Sequence, residues 1–524
     1  MLTILAHLLL LGVVCAQESG VDRTLVTTES GVVRGSVIEG NVPLRVWKGI
    51  PYAAPPVGPL RWQPPQAVRP WAEPLLCQDF GAECPQPKLR VAGSRSSGDQ
   101  SEDCLYLNIW APPTKDTEKL PVMVWIHGGG MVVGSGSRAI YDGAALAREG
   151  VVLVSINYRL GPLGFFAHPG LSAQSDNKTS GNQGLKDQCA ALRWVQRNIS
   201  AFGGDPSNVT IFGESAGAAS VCWLLVVPEA RGLFHRAIAQ SGGVARLGLG
   251  HQDAAEAKGQ RIQRQLGVAM DLSREDALVA LRNKSPEDFL RVLKPTIYSA
   301  EGSVFGPHVD GHFTPATPDA LMQRGEFAKV PTLIGTNSGD GSVFLPAVKG
   351  LDAQALKARI RGFVGADYDG LLAHYPGLLN DDRDPEVLQA LLTDLLFVSP
   401  ARELARTINA NQGQAWLYHF TYVPTLLKAL SSTAAHGIEI PFVFGNLPSR
   451  LVRSEQQALS DLMRRTWVRF ARTGNPAGGA IPEWPRHTGQ EDAHYEFGKA
   501  SSLQRGLRKA PCDTIAALQA RQPR

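Results

Sequence analysis

The sequence predicts an α/β protein with one large, mostly parallel central sheet flanked by helices and helical insertions over the sheet edge. Three observations predict it. Apolar, β-branched runs recur at residues 105–110, 122–126, 151–156, 209–212, 237–240 and 332–335, continuously apolar as strands covered on both faces are. Stretches with helical spacing at 141–148, at 185–198 and from Ala216 alternate with those runs, the order that builds parallel crossovers. Neither an internal repeat nor a low-complexity linker divides the chain, so residues 17–524 read as one domain.

The elements follow in order. Residues 24–56 alternate short β-type runs with Gly and Asn turns, which reads as an antiparallel hairpin region. A Pro-rich loop runs on to Pro74 before the sheet begins. Between about 247 and 293, and again over 353–412, charged and apolar residues recur at helical spacing and read as the insertions. Composition excludes other classes. With 44% apolar and 19% charged residues the chain is ordinary for a globular protein, so disorder, collagen and coiled coil are ruled out. Its net charge of +4 comes without any run of five basic residues, so no nucleic-acid stripe is expected.

Residues 1–16 carry no charged side chain and end in Val14-Cys15-Ala16, which reads as a signal peptide cut before Gln17. No other segment approaches 18 consecutive apolar residues, and the C-terminus carries no retention, prenylation or anchor signal, so no stable membrane anchor is expected. The expected location is secreted, or periplasmic in a bacterium. Six cysteines then remain, at 77, 84, 104, 189, 222 and 512, without metal-ligand spacing. Cys189 and Cys222 lie in apolar helical stretches and read as buried free thiols, whereas a bridge between Cys77 and Cys512 is open. Sequons at Asn177, Asn198, Asn208 and Asn283 are candidate glycan sites.

The chemistry centres on Gly213-Glu-Ser215-Ala-Gly217, set between a strand and a helix. A tight strand–turn–helix exposes the serine hydroxyl, and glycines on either side let the two elements pack closely. Such a serine needs an oxyanion hole and a base. His127-Gly-Gly-Gly130 follows an apolar strand, where backbone N–H groups can approach a developing oxyanion, and the Ala216 N–H would complete the hole. In α/β-hydrolases the acid and then the histidine follow the nucleophile. Asp340, in a Gly-rich loop just beyond the 332–335 strand, is the best placed acid. His436 sits on a Gly-flanked loop downstream, but eight other histidines also follow Ser215, so spacing leaves the base open.

At this point the chain resembles the type-B carboxylesterase/lipase family, the cholinesterase-like serine esterases. The likeness runs from about Gly31 to Phe497 through Trp47-Lys-Gly-Ile-Pro-Tyr-Ala-Ala-Pro-Pro56, Ser101-Glu-Asp-Cys-Leu-Tyr-Leu-Asn108, His127-Gly-Gly-Gly130, Asn157-Tyr-Arg159, Gly213-Glu-Ser-Ala-Gly217, Gly335-Thr-Asn337 and His436-Gly437 before Pro441-Phe-Val-Phe-Gly445. The resemblance implies Ser215 as nucleophile, Asp340 as acid, His436 as base, and Gly129, Gly130 and Ala216 as oxyanion donors. It further implies a Cys84–Cys104 disulfide, a supporting role for Glu214 near the nucleophile, and structural ion pairs of Arg61 with Glu102 and Arg159 with Asp187.

Departures bear on substrate. The acid is Asp340 where most relatives have Glu, and Val268 and Ala280 stand where a second cysteine pair would be. Residues 85–100 contain no Trp, the residue with which cholinesterases hold a quaternary ammonium, so choline esters are not expected substrates. The acyl-pocket segment aligns with residues 301–305, small and polar between Glu301 and Phe305, which makes Phe305 a candidate substrate-binding residue. The expected reaction is hydrolysis of a small-molecule or lipid-like carboxylic ester through an acyl-enzyme, with no metal or organic cofactor. A silent adhesion module is the rival from another class; it is disfavoured because nucleophile, acid, base and hole are all present. An amide, lactone or polymer ester remains open as the scissile bond.

Overall fold

The N-terminal runs pair as expected. Strand β1 (Leu25–Thr28) forms an antiparallel hairpin with β2 (Gly31–Arg34), and β3 (Ser36–Ile38) pairs with β4 (Leu44–Pro51). Strand β5 (Leu75–Leu76) adds to β2. The central sheet continues through β6 (Tyr106–Ala111), β7 (Leu120–Ile126), β8 (Val152–Ile156), β9 (Gly204–Glu214) and β10 (Arg236–Gln240). A small hairpin of β11 (Tyr298–Ser299) and β12 (Gly302–Ser303) precedes β13 (Pro331–Asn337), β14 (Gln414–Phe420), β15 (Ala493–Phe497) and β16 (Ser502–Arg505). This computed structural model describes residues 22–521 apart from 88–97, 115–116, 243–249, 293–297, 300–301, 304, 349, 366–367, 379–383, 430 and 449–451. The expected signal peptide, Glu301 and most of the segment 85–100 lie outside the described residues.

Eleven strands form the main sheet in the order β3-β4-β6-β8-β7-β9-β10-β13-β14-β15-β16. From β8 to β15 every pairing is parallel; β3, β4, β6 and β16 pair antiparallel at the flanks. The 105–110 run therefore belongs to an antiparallel flank, pairing in the reverse direction with both β4 and β8. Both faces are covered. Val122, Val124 and Ile126 of β7 enter one core while Met123 and Trp125 enter the other, the two-residue alternation of a strand buried on both sides. A third, smaller core gathers Phe344, Leu391, Phe397 and Ile515 beneath the second insertion.

Helices largely follow the sequence reading. Gln183–Asn198 and Ala216–Val226 flank the sheet, and Gln252–Gln265, Arg274–Arg282 and Pro286–Val292 make the first insertion. The stretch 141–148 is shorter than expected: only Ala144–Arg148 is α-helical, after a 3₁₀ turn at Ala139–Tyr141. Val268 is buried and Ala280 packs against the same core, so apolar contact occupies the place of a second bridge.

Both expected ion pairs form. Arg159 donates to Asp187 through Nε (2.8 Å) and Nη2 (2.6 Å), with both side chains almost wholly buried. Arg61 grips Glu102 with Nε (2.6 Å) and Nη2 while its Nη1 caps the carbonyls of Arg282 (3.1 Å) and Lys284 (2.6 Å). The expected Cys84–Cys104 bridge is not formed. All six cysteines of the described residues are free and buried. The Cys84 and Cys104 thiols meet in a hydrogen bond that, with burial, pushes the Cys104 thiol far up. Cys84 Sγ also accepts from Leu160 N (3.3 Å). Cys77 lies among β2 and β4 backbone, accepting from Lys48 N and donating to Arg34 O, whereas Cys512 sits in the C-terminal helix Lys509–Ala520. Among the sequons, Asn177 and Asn283 are exposed, but Asn198 is buried with Nδ2 donating to the Trp194 carbonyl (2.9 Å), which closes it to a glycan on the folded chain.

Candidate active site

Four chain segments converge at the carboxyl ends of β7, β9, β13 and β14, where open α/β sheets place their ligands. Strand β9 ends at Glu214, and the helix Ala216–Val226 starts one residue after Ser215. Ser215 itself has φ +57° and ψ −121°, a strained backbone for a side chain with a Cβ. Its N–H donates to the Gln240 carbonyl (2.9 Å), which ties the turn to β10. The flanking glycines are sterically required. A Cβ on Gly213 would stand 2.6 Å from the Ile126 carbonyl oxygen, and one on Gly217 would collide with that same oxygen.

Asp340 begins the 3₁₀ turn Asp340–Phe344 just past β13 and is fully buried. Its Oδ2 accepts from the Asn337 N–H (2.7 Å), which leaves Oδ1 to bond His436 Nδ1 at 2.8 Å. The loops carrying the two residues join directly, Gly339 N–H donating to the Ala434 carbonyl (2.8 Å). The aspartate, one methylene shorter than glutamate, thus reaches the imidazole because its loop lies against the histidine loop.

The other ring nitrogen, His436 Nε2, lies 3.2 Å from Glu214 Oε1. Burial alone would lower the imidazole, but the Glu214 charge and the Asp340 hydrogen bond and charge overcome it and push it up to about 9. Burial raises the Glu214 carboxyl to about 8 against the opposing pull of His436. Each group thus shifts the titration of the other across a 3.2 Å gap.

The glycine loop packs against the elbow. A Cβ on Gly128 would lie 3.1 Å from the Ser215 Cβ, and Gly129 and Gly130 have φ of +106° and +65°. The Gly129 carbonyl accepts from the Val132 (3.1 Å) and Val133 (3.0 Å) N–H groups, which turns that peptide's oxygen away into the loop. His127 is buried and pushed down to about 3, hence neutral; its Nδ1 lies 2.9 Å from the Gly128 carbonyl oxygen. Tyr158 stacks on this ring at 4.5 Å and donates to the His127 carbonyl (2.8 Å).

Two residues at the site escaped the sequence reading. Glu439, fully buried, accepts from Asn337 Nδ2 (2.6 Å) and Gln240 Nε2 (3.1 Å), and Gln240 Oε1 accepts from Trp467 Nε1 (3.0 Å). Burial, with nearby Asp340, pushes its carboxyl up. An acid between Ile438 and Ile440, three residues after His436, was the available signal. Phe397 packs its ring 5.2 Å from the His436 ring; nothing in its local pattern marks it. Phe305 goes elsewhere. It is buried with Lys258 Nζ 4.3 Å above its ring, in a cavity of about 200 Å³ whose walls include Phe165, Phe166 and His308 and none of Ser215, Asp340 and His436.

A serine at this elbow, on this sheet, defines an α/β-hydrolase. The carboxylesterase family model matches residues 22–515, and the chain belongs to that family; it is a carboxylic ester hydrolase. It is 38% identical to the para-nitrobenzyl esterase of Bacillus subtilis (strain 168) over 88% of this chain and 92% of that one. Identity is 38% to the fumonisin B1 esterase of Sphingopyxis macrogoltabida (92% and 88% covered) and 36% to the cocaine esterase of Homo sapiens (92% and 89%). A solved PNB esterase superposes with a TM-score of 0.81 at 35% identity, covering 94% of this chain and 100% of that one. Among the described residues no helix is long and apolar enough to cross a membrane.

Proposed function

We propose that the chain hydrolyses small-molecule or lipid-like carboxylic esters with Ser215 as nucleophile, His436 as general base and Asp340 as its orienting acid. The observation that carries the reading is the 2.8 Å contact of His436 Nδ1 with a fully buried Asp340, while Nε2 lies 3.2 Å from Glu214, the residue before a serine at φ +57°. Asp340 fixes the tautomer that presents Nε2 as acceptor and stabilises the imidazolium as Ser215 gives up its proton. Ser215 Oγ attacks the carbonyl, the oxyanion takes the N–H groups of Gly129, Gly130 and Ala216, and the alcohol leaves with the proton from His436. His436 then deprotonates water, which releases the acid. Glu214 Oε1, 3.2 Å from Nε2 in the resting site, must leave that nitrogen to the serine. Relatives named as para-nitrobenzyl, fumonisin B1 and cocaine esterases support hydrolysis of a small-molecule carboxylic ester.

We also propose export from the cytoplasm on the N-terminal apolar segment. The test of function is p-nitrophenol release from acetate, butyrate and octanoate esters, with and without an organophosphate serine inhibitor. Inhibitable hydrolysis is expected, and its chain-length profile gauges the acyl pocket; folded protein without turnover refutes the mechanism.

A further inference from the structure

We propose that the helix Pro385–Thr393 and the π-helical turn Asp394–Val398 that continues it form a bracket that sets Asp340 against His436, and that Arg508 locks this bracket through Asp394. The inference rests on the triad reading above and concerns what holds it.

One continuous element grips both loops of the pair. On the acid side, Gly341 N–H donates to Thr393 Oγ1 (2.9 Å), and that hydroxyl donates to the Gln389 carbonyl (2.8 Å). On the histidine side, Gln389 Nε2 donates to Thr433 Oγ1 (2.6 Å), three residues before His436. The approach is too close for side chains: a Cβ on Gly341 would lie 2.6 Å from Thr393 N, and one on Gly339 2.8 Å from Gln389 Nε2. One turn further, Phe397 packs on the His436 ring at 5.2 Å and on Phe344, the last residue of the Asp340 turn, at 6.0 Å.

The π turn has a local cause. Pro400 opens the following helix Ser399–Ala410 and offers no N–H to the carbonyl one turn earlier, so the chain widens there. Such turns recur at functional sites. Its first residue, Asp394, is 1% exposed and accepts from Arg508 Nε (2.9 Å) and Nη2 (2.6 Å) and from Tyr375 Oη (2.5 Å). Arg508 holds φ +47°, an uncommon backbone for a side-chain-bearing residue, immediately before the C-terminal helix. The chain's C-terminal end is thus fastened to the turn that seats the imidazole. Thr393, Phe397, Asp394 and Arg508 act as positioning residues, touching no substrate.

The experiment compares Thr393→Val, Arg508→Gln and Arg508→Lys in the full-length enzyme. Readouts are kcat and KM for p-nitrophenyl butyrate and the low-field proton resonance of His436 Nδ1–H. Thr393→Val and Arg508→Gln are expected to lower kcat by about tenfold or more, the scale of a small misplacement of reacting groups. KM should stay within about twofold, since ground-state binding is untouched. The resonance should shift or broaden in both, and Arg508→Lys should recover much of the signal and of kcat. Folded Thr393→Val and Arg508→Gln with wild-type kcat and an unmoved resonance overturn the bracket. Should Arg508→Gln fail to fold, Thr393→Val, which keeps the ion pair, decides alone. His436→Gln separates the two readings: residual full activity there overturns the triad itself, whereas an inactive His436→Gln beside indifferent bracket variants overturns the bracket only.

Discussion

Replacing Glu214 with Gln tests the electrostatics of the site most directly. The carboxylate stands 3.2 Å from His436 Nε2. At that distance, with an effective dielectric near 20, a full charge pair is worth about 5 kcal/mol, an upper limit. The Glu214 carboxyl is itself pushed up to about 8, so near neutrality it is largely protonated and only part of that field acts. A drop of about one to two pKa units for His436 is therefore expected in Glu214→Gln, within the range for an opposite charge at this separation. The sign follows from the chemistry. Only the neutral imidazole can take the Ser215 proton, so kcat/KM must rise with pH through the His436 pKa, which is pushed up to about 9 in the free enzyme. Glu214→Gln moves this limb to lower pH and raises kcat/KM on its acidic side. The assay is the pH profile of kcat/KM for an uncharged aryl ester between pH 5 and 9.5, corrected for spontaneous hydrolysis. A limb that stays in place, or moves to higher pH, refutes the assignment of Glu214 as the group that raises His436.

Ser215→Ala is expected to reduce turnover of the same ester by about 10⁴-fold or more, measured against enzyme refolded identically. Asp340→Asn should cost on the order of 10⁴ in kcat with little change in KM, because the amide no longer enforces the tautomer that presents Nε2 as acceptor. Gly217→Ala drives a Cβ into the Ile126 carbonyl and should destabilise by at least about 1–3 kcal/mol in urea titration. Arg159→Met strands a fully buried Asp187 charge and should cost about 3–5 kcal/mol by the same titration, without altering the pH limb.

Much of the fold was legible in the sequence because its signals are local. Continuous apolar runs marked β7 through β10 and β13, since a strand covered on both faces has no polar side to show. The elbow was legible for the same reason: Gly213 and Gly217 are dictated by contacts with a strand end, and their spacing around Ser215 is a feature of five adjacent residues. Strands β14 to β16 went unread, as β14 directly follows a long helical stretch and β15 and β16 are short and carry His, Glu, Gln and Arg. The reversal of β6 likewise depends on a partner, not on its own residues.

What the sequence by itself determined is the run of buried strands β7 to β10 and β13, the nucleophile's turn and the glycine loop, each governed by periodicity or backbone sterics within a few residues. What only the tertiary structure decided is which histidine meets which acid: His436 and Asp340 lie 96 residues apart and are joined by loops whose separation Thr393, Gln389 and Phe397 set from a third segment. The same holds for the contact of Glu214 with His436, for Glu439 in its amide cradle and for the departure of Phe305 to another cavity. Hydrogen-bond reach and burial depend on packing between segments distant in sequence, and no pattern of neighbouring residues encodes that distance.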